Sequence, residues 1–378
     1  MTADCTVQVF PSLNLIDPAI RKNVFLNQIR DFRYAEIVED TLNEQFVQKY
    51  FLIRNKDTGG TAIQPFFFVD QDALAGLPTR IRNLLSSIRR FRSGFLKFRI
   101  MMLGCAAGEG QLDSQAPWAI AALHEAAAQY AKAEKASLIL LKDFPSEYRD
   151  ALRMFSENGY ARVPSMPGAQ MAIDFSSFDE YMQEKLSRMF RKNLRRKFKD
   201  AAKHPPITME VVNDATPFVD EIHPLYLQTF NRSEFRFEKL TPEYLCAMGR
   251  LMPERTRYFL WRQEGRIIAF ALCMVHGDTI CDMNVGMDYS VALDLHLYFL
   301  TFRDILQWSA ENGMKSYLTG PLNYDPKLHL RLDLCPLDLY VRHTLGWINP
   351  FLKIALKYLQ PARHDKAIRQ FRNAHELY

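Results

Sequence analysis

The sequence predicts a mixed α/β (α+β) protein of two similar lobes in tandem, each a mixed, largely antiparallel sheet flanked by helices. Three observations carry that expectation. At 378 residues the chain is longer than one ordinary hydrophobic core organises, so two domains are the better starting point. An order of hairpin, strand, helix, short strand, helix, strand runs through the first half and, with variations, again through the second. Between the two runs lies one strongly basic segment. It divides the chain into a lobe at 1–176, a linking helix at 177–205 and a lobe at 206–378.

In chain order, YFLIRNKDTGGTAIQPFFFV (50–69) is two β-rich runs around Asn, Asp and Gly, a hairpin pattern. FLKFRIMMLG (95–104) is a strand, and the Ala-rich stretch 116–136 a helix. SLILLKD (137–143) has the unbroken apolar run of a buried strand. Residues 146–160 read as a helix opened by Ser146 and closed by Gly159, and 169–175 as a strand. In the second half, 207–212 is a strand, and two helices each open on Thr-Pro, at 216 and 241. Residues 257–275 are a hairpin turning at Glu264-Gly265, 279–289 a strand, 295–313 a helix and 314–320 a buried strand. A strand at 335–343 and a helix at 349–359 follow, the helix expected to complete the second core.

Hydrophobic residues are 48% and charged residues 24% of the chain, which is globular rather than disordered composition. The net charge is +5, yet residues 185–203 alone hold nine Lys and Arg against the single acid Asp200. Positive charge is therefore local, as for a binding or docking face, and not spread as on a protein that coats nucleic acid. The six cysteines form no CxxC pair and no zinc-ligand spacing, so no metal site is expected. They read as small buried side chains of a reducing compartment. MTADCTVQVF lacks the cationic start and apolar core of a secretion signal, and no run of 18 apolar residues occurs. The expectation is a cytoplasmic protein, with peripheral contact at the inner membrane face left open.

Wound at about 100° per residue, residues 185–203 sort into two sides. Arg188, Arg191, Lys192, Arg195, Arg196, Lys199 and Lys203 share one arc; Leu186, Met189, Phe190, Leu194 and Phe198 share the other. An apolar side anchors this helix, and the cationic side suits phosphates of a donor, an acceptor or a lipid surface; a solvated charged face is the alternative. TICDMNVGMDY (279–289) alternates cleanly. Asp282, Asn284, Gly286 and Asp288 should point one way, opposite Cys281, Met283, Val285 and Met287. That polar row could line a cleft or simply face water. In 317–343 a buried strand ends in Gly-Pro and leads to Tyr324, Lys327 and Arg331. Ligands tend to sit beyond strand ends in open α/β sheets, so Tyr324 is a candidate acid and Lys327 with Arg331 an anion clamp; a surface turn capped by Asp325 is the alternative. GCAAGEG (104–110) lacks the spacing of a phosphate loop and carries Glu109, so it reads as a plain loop.

Together these segments resemble the GNAT superfamily, specifically its FemAB-like, peptidoglycan-biosynthesis-type acyltransferases with two tandem GNAT-like halves. The resemblance rests on FDEYMQEKLSRMFRKNLRRKFKDA, HLYFLTFRDILQWSAENGMKSYLTG and PKLHLRLDLCPLDLYVRH. Ala310-Glu311-Asn312-Gly313 is one residue short of the family's Ala-x-x-x-Gly, and Lys327-Leu328-His329-Leu330 matches its Lys-x-x-apolar with Arg331 in place of Gly. The acyl-CoA pyrophosphate loop, Gln/Arg-x-x-Gly-x-Gly/Ala, is represented here by GMDYSVALDLHLYF, with only Gly286. The resemblance implies a bacterial N-acyltransferase moving an acyl or aminoacyl group to an amine. Acyl-CoA or aminoacyl-tRNA would be the donor substrate, with no tightly bound cofactor, and a small molecule or cell-wall precursor the acceptor. Asp282 and Asp288 are then candidate bases, Tyr324 the acid for the leaving group, and a backbone N–H near Gly286 an oxyanion donor. Asn284, Lys327, Arg331, Arg188, Arg191, Lys192 and Arg195 are the candidate binding residues. Two other readings are a non-catalytic binding module of the same fold and a basic peripheral membrane adaptor.

Overall fold

Local hairpins build most of the structure. A computed structural model describes residues 4–72, 97–233, 236–363 and 365–378. Strand β1 is Cys5–Phe10, β2 Gln48–Asn55, β3 Thr61–Asp72, β4 Lys97–Leu103, β5 Leu138–Pro145, β6 Ala161–Pro164 and β7 Gly168–Ala172. The second half supplies β8 Ile207–Val212, β9 Thr256–Gln263, β10 Arg266–His276, β11 Thr279–Met287, β12 Ser316–Thr319, β13 Asp333–Cys335 and β14 Leu337–His343. Between β2 and β3, the Asn55 side chain accepts the N–H groups of Asp57 and Thr58 and so holds the turn. Between β9 and β10, Glu264 and Gly265 both take positive φ, 51° and 82°, the two-residue turn that matches strand twist.

The strands form two seven-stranded sheets of the same design. Their orders are β1-β2-β3-β4-β5-β14-β6 and β8-β9-β10-β11-β12-β7-β13. In each, the fourth and fifth strands are parallel and every other neighbouring pair is antiparallel. The parallel pairs require crossovers, and the helices Pro117–Ala133 and Leu297–Glu311 lie in them.

The sixth strand of each sheet comes from the other half of the chain. β7 pairs with β12 and β13, and β14 pairs with β5 and β6. This corrects the partition at 176 and 206: β7 precedes residue 176 but belongs to the second sheet, and β14 closes the first. Arg149 and Arg162 of the first lobe both pair with Asp338 on β14, a carboxylate with 1% of its side chain exposed. A buried acid held by two guanidinium groups fixes that strand in place.

Two further expectations are revised. The helix expected over 146–160 is broken into a turn at Ser146–Tyr148 and a short helix at Arg153–Glu157, although Tyr148, Leu152 and Phe155 are buried as the spacing predicts. The Asn349–Leu359 helix does not complete the second core; it lies against β6 and β14 at the edge of the first sheet. No helix among the described residues is long and apolar enough to cross a membrane.

Candidate active site

The two parallel strands of the second sheet form a fork. β11 and β12 pair over only four residues, from Thr279 opposite Ser316 to Asp282 opposite Thr319. β12 then ends, while β11 continues to Met287 bonded to β10 alone. Its backbone edge from Met283 onward has no strand partner on the fork side among the described residues. A cleft of about 800 Å³ occupies the opening. Asp282 sits at its apex, half-buried, with Asn284, Tyr298, Tyr317, Thr319, Asn323 and Lys327 also on the walls.

Each wall group is positioned by an identifiable device. Tyr317, on β12, donates its hydroxyl to Asp282 Oδ2 at 2.9 Å. Tyr298 comes from the first turn of the crossover helix and hydrogen-bonds with the Asn323 side chain. Asn323 is presented by a turn in which two non-glycine residues, Leu322 and Asn323, take φ of 74° and 54°. Leucine rarely adopts that region, so the turn stores strain, as turns at functional sites often do. Lys327, in the helix Tyr324–His329, is 5% exposed and donates to the Gly320 carbonyl.

These surroundings move the titrations toward neutrality. Burial pushes the Asp282 carboxyl up to about 6, opposed by the Tyr317 hydrogen bond and the positive charge of Lys327. Burial pulls the Lys327 ammonium down to about 8, opposed by Asp282. Tyr298 and Tyr317 are both raised by burial and by the neighbouring carboxylate, so they stay protonated as hydrogen-bond donors. A base near 6 and a cation near 8 in one cleft is the pattern acid–base chemistry uses.

The expected polar row does not exist as a row. A bulge opposite the Leu272–Cys273 step pairs Asp282 with Cys273 but Asn284 with Leu272. Paired residues share a face, so Asp282 and Asn284 fall on opposite faces although both reach the cleft. Gly286 lies under the helix Val219–Arg232, where an added Cβ would come 2.3 Å from the Phe270 ring and 2.5 Å from Tyr226 N. It is there for close helix packing. Asp288 is outside the cleft: it bridges to Arg266 at 3.1 Å and accepts from the Ser290 backbone and hydroxyl at 3.0 and 2.6 Å. Those bonds organise the turn after β11 and leave it no role as a base.

Tyr324 is also outside the cleft. Its hydroxyl donates to Pro167 O at 2.8 Å inside a small core with Leu334 and Phe371. Arg331 is exposed at φ 60°, away from the cleft wall, so it does not clamp with Lys327. The basic helix, Arg188–Ala201, packs Leu194, Phe190 and Phe198 on the second core. Arg188, Lys192 and Arg195 stand exposed on its outer side, and Arg191 turns back onto the carbonyls of Met182 and Gln183. None of these cations lines the cleft. Contact is indirect: Phe190 packs edge-on against Phe299, a cleft residue, and the Lys197 ammonium sits 4.9 Å over the same ring.

Of the groups that shape the site, sequence reading missed Tyr298, Tyr317, Asn323 and Arg232. Arg232 lies at the cleft with its guanidinium 4.2 Å over Tyr289. The available signal was a tyrosine in the first turn of a helix that is apolar around most of its circumference and another inside a buried strand. A buried hydroxyl needs a partner, which points at the nearest unexplained acid.

A forked, mostly antiparallel sheet is the architecture of a GNAT-type acyltransferase domain, and that sheet occurs here twice in tandem, with a cleft at the parallel pair of the second. The sequence profile of the acetyltransferase (GNAT) domain family matches residues 188–327, which span the basic helix, the fork and Lys327. Among solved structures, FemX is 14% identical with a TM-score of 0.55, covering 90% of this chain and 98% of that one. A conserved protein of unknown function from Bacteroides thetaiotaomicron is 12% identical with a TM-score of 0.50, covering 85% and 92%. A tandem GNAT protein from the clavulanic acid biosynthesis pathway is 9% identical with a TM-score of 0.49, covering 90% and 99%. No curated protein sequence matches the chain.

Proposed function

We propose that this protein is an N-acyltransferase whose chemistry takes place at the β11–β12 fork, with Asp282 as the base. The observation that carries this is the half-buried Asp282 carboxyl, titrating near 6 at the apex of the cleft beside Lys327. A free alkylammonium has a pKa of about 10 and is a poor nucleophile until it loses a proton. Asp282 takes that proton, directly or through water. The amine nitrogen then bonds to the acyl carbon, and the carbon–sulfur or carbon–oxygen bond to the donor breaks. The Lys327 ammonium or the Tyr298 hydroxyl gives a proton to the leaving atom and is restored by the second proton that the nitrogen sheds as the amide forms. The unpartnered backbone edge of β11 offers N–H groups to the oxyanion. Arg232 and Lys197 supply positive charge near the mouth for an anionic donor, acyl-CoA or aminoacyl-tRNA. An amine-bearing small molecule or cell-wall precursor fits the same reading as acceptor.

Asp282→Asn should lower turnover by about 10²–10⁴-fold, assayed across acyl-CoA and aminoacyl-tRNA donors with a panel of amines. Full activity in the variant would remove Asp282 as base. The wild-type rate should rise with pH through about 6 as Asp282 ionises and fall above about 8 as Lys327 loses its proton. Lys327→Met should be slower and should lack the alkaline limb; an unchanged profile would exclude Lys327.

A further inference from the structure

The Asn349–Leu359 helix turns an apolar stripe outward instead of burying it. Its inner arc, Asn349, Leu352 and Leu356, rests toward β6 and β14. The outer arc brings Phe351, Ile354 and Tyr358 together at 68%, 59% and 64% exposure. Trp347 at 71% and Leu345 at 53% extend the stripe into the preceding turn. Lys353 and Lys357 stand on the adjoining arc, and residues 344–363 contain no acid. At the end of the helix, an open hollow of about 550 Å³ is lined by Lys357, Gln360, Arg363, Arg369 and Tyr378. Arg363 is held in place there, donating to Lys357 O at 2.7 Å with its guanidinium 5.4 Å over the Tyr358 ring.

We propose that this face docks on an anionic lipid bilayer. The stripe enters the headgroup–acyl boundary, and the basic hollow receives a lipid phosphate. A large aromatic at each end of an exposed apolar stripe, beside lysines, is the composition that interfacial helices use. A second copy of the chain fits the face poorly. A two-fold contact would set Lys353, Lys357 and Arg363 against themselves with no acid in the segment to answer them. Docking here also positions the cleft, because Asp365, two residues beyond Arg363, lines it. The inference stands on the outer helix and the hollow, independently of the chemistry assigned to the fork.

The test is co-sedimentation of the full chain with vesicles of pure phosphatidylcholine and of phosphatidylcholine with about 30 mol% phosphatidylglycerol. Binding to the anionic vesicles should be at least about tenfold tighter and should weaken with salt. Trp347 emission should shift to the blue on binding, a change absent in Trp347→Phe. The combined variant Phe351→Ser, Ile354→Ser, Tyr358→Ser should lose binding with an unchanged unfolding midpoint. Lys353→Gln with Lys357→Gln should lose the preference for anionic lipid, which keeps the test open if the triple variant fails to fold. Absence of binding to anionic vesicles at low salt overturns the proposal. So does binding that survives the triple variant but is lost in Arg188→Gln with Arg195→Gln. A dimer in sedimentation equilibrium that the triple variant dissolves would show a second copy to be the occupant.

Discussion

The two forks are the same piece of backbone with opposite contents. In the first lobe β4 and β5 pair from Ile100 on Leu138 to Leu103 on Leu141; in the second β11 and β12 pair from Thr279 on Ser316 to Asp282 on Thr319. Both are four-residue parallel registers that end where the strands part. At the apex the first lobe has Leu103 and Leu141, each fully buried. Its opening is plugged by the loop after β4. Gly110 N–H donates to Asp143 O at 2.9 Å, and Lys142 Nζ to Gly108 O at 2.8 Å. Gly110 lies so close to β5 that a Cβ would come 2.5 Å from both Lys142 O and the Phe144 ring. Glu109, in the same loop, pairs with the buried Arg30 at 2.7 Å. The second fork has an acid and a threonine at its apex, and a cleft where the plug would be. One topology therefore yields a filled wedge in one lobe and an open cleft in the other, and a few side chains decide which.

The largest break of this comparison would come from separating the lobes. Residues 1–205 and 206–378 expressed apart each lose the sixth strand of their sheet and expose two edges. Neither should show a cooperative urea transition, and a cooperative transition in either piece alone would show that strand exchange is dispensable. Placing the second lobe's acid in the first fork, Leu103→Asp, buries a charge without a partner and should cost on the order of 3–5 kcal/mol in urea denaturation. A cost below about 1 kcal/mol would mean that the first fork is not dry. Asp282→Asn should move stability the other way. The folded carboxyl holds its proton to about 6, above its ordinary value, so wild-type stability falls as pH rises from about 4 to 6. The neutral variant escapes that loss and should be more stable at pH 8 by about 3 kcal/mol, with the gain gone by about pH 4. The smallest effect belongs to the exposed rim. Arg188→Gln with Arg195→Gln, both on the exposed outer side of the basic helix, should change stability by less than about 0.5 kcal/mol, and a raised donor KM in this variant would sharpen the role of that helix.

Much of the fold was legible because its hairpins are local. Glu264-Gly265, the Asn-Asp-Gly turn after β2 and the alternation of β11 all express preferences of neighbouring residues. The destinations of β7 and β14 were not legible. Nothing within GAQMA or LDLYVRH says which of two equivalent sheets will accept it. At the site, Lys327 was found through strand-end position, and Asp282 and Asn284 through alternation, but the partners of Asp282 come from a helix and a strand distant in sequence. The bulge at Met283 is set by the pairing with β10 and puts Asp282 and Asn284 on opposite faces, while helix packing over Gly286 and the bonds of Asp288 to Arg266 and Ser290 take those two positions out of the cleft.

By itself, the amino-acid order determined the strands and helices, the repeated design and the placement of a cationic helix between the halves, because those follow from periodicity and turn chemistry within a few residues. Only the tertiary structure decided which acid is buried beside a lysine, which tyrosine faces it, which fork stays open and which helix keeps an apolar side in solvent. Those outcomes depend on desolvation and packing between segments far apart in the chain, quantities that no local pattern encodes.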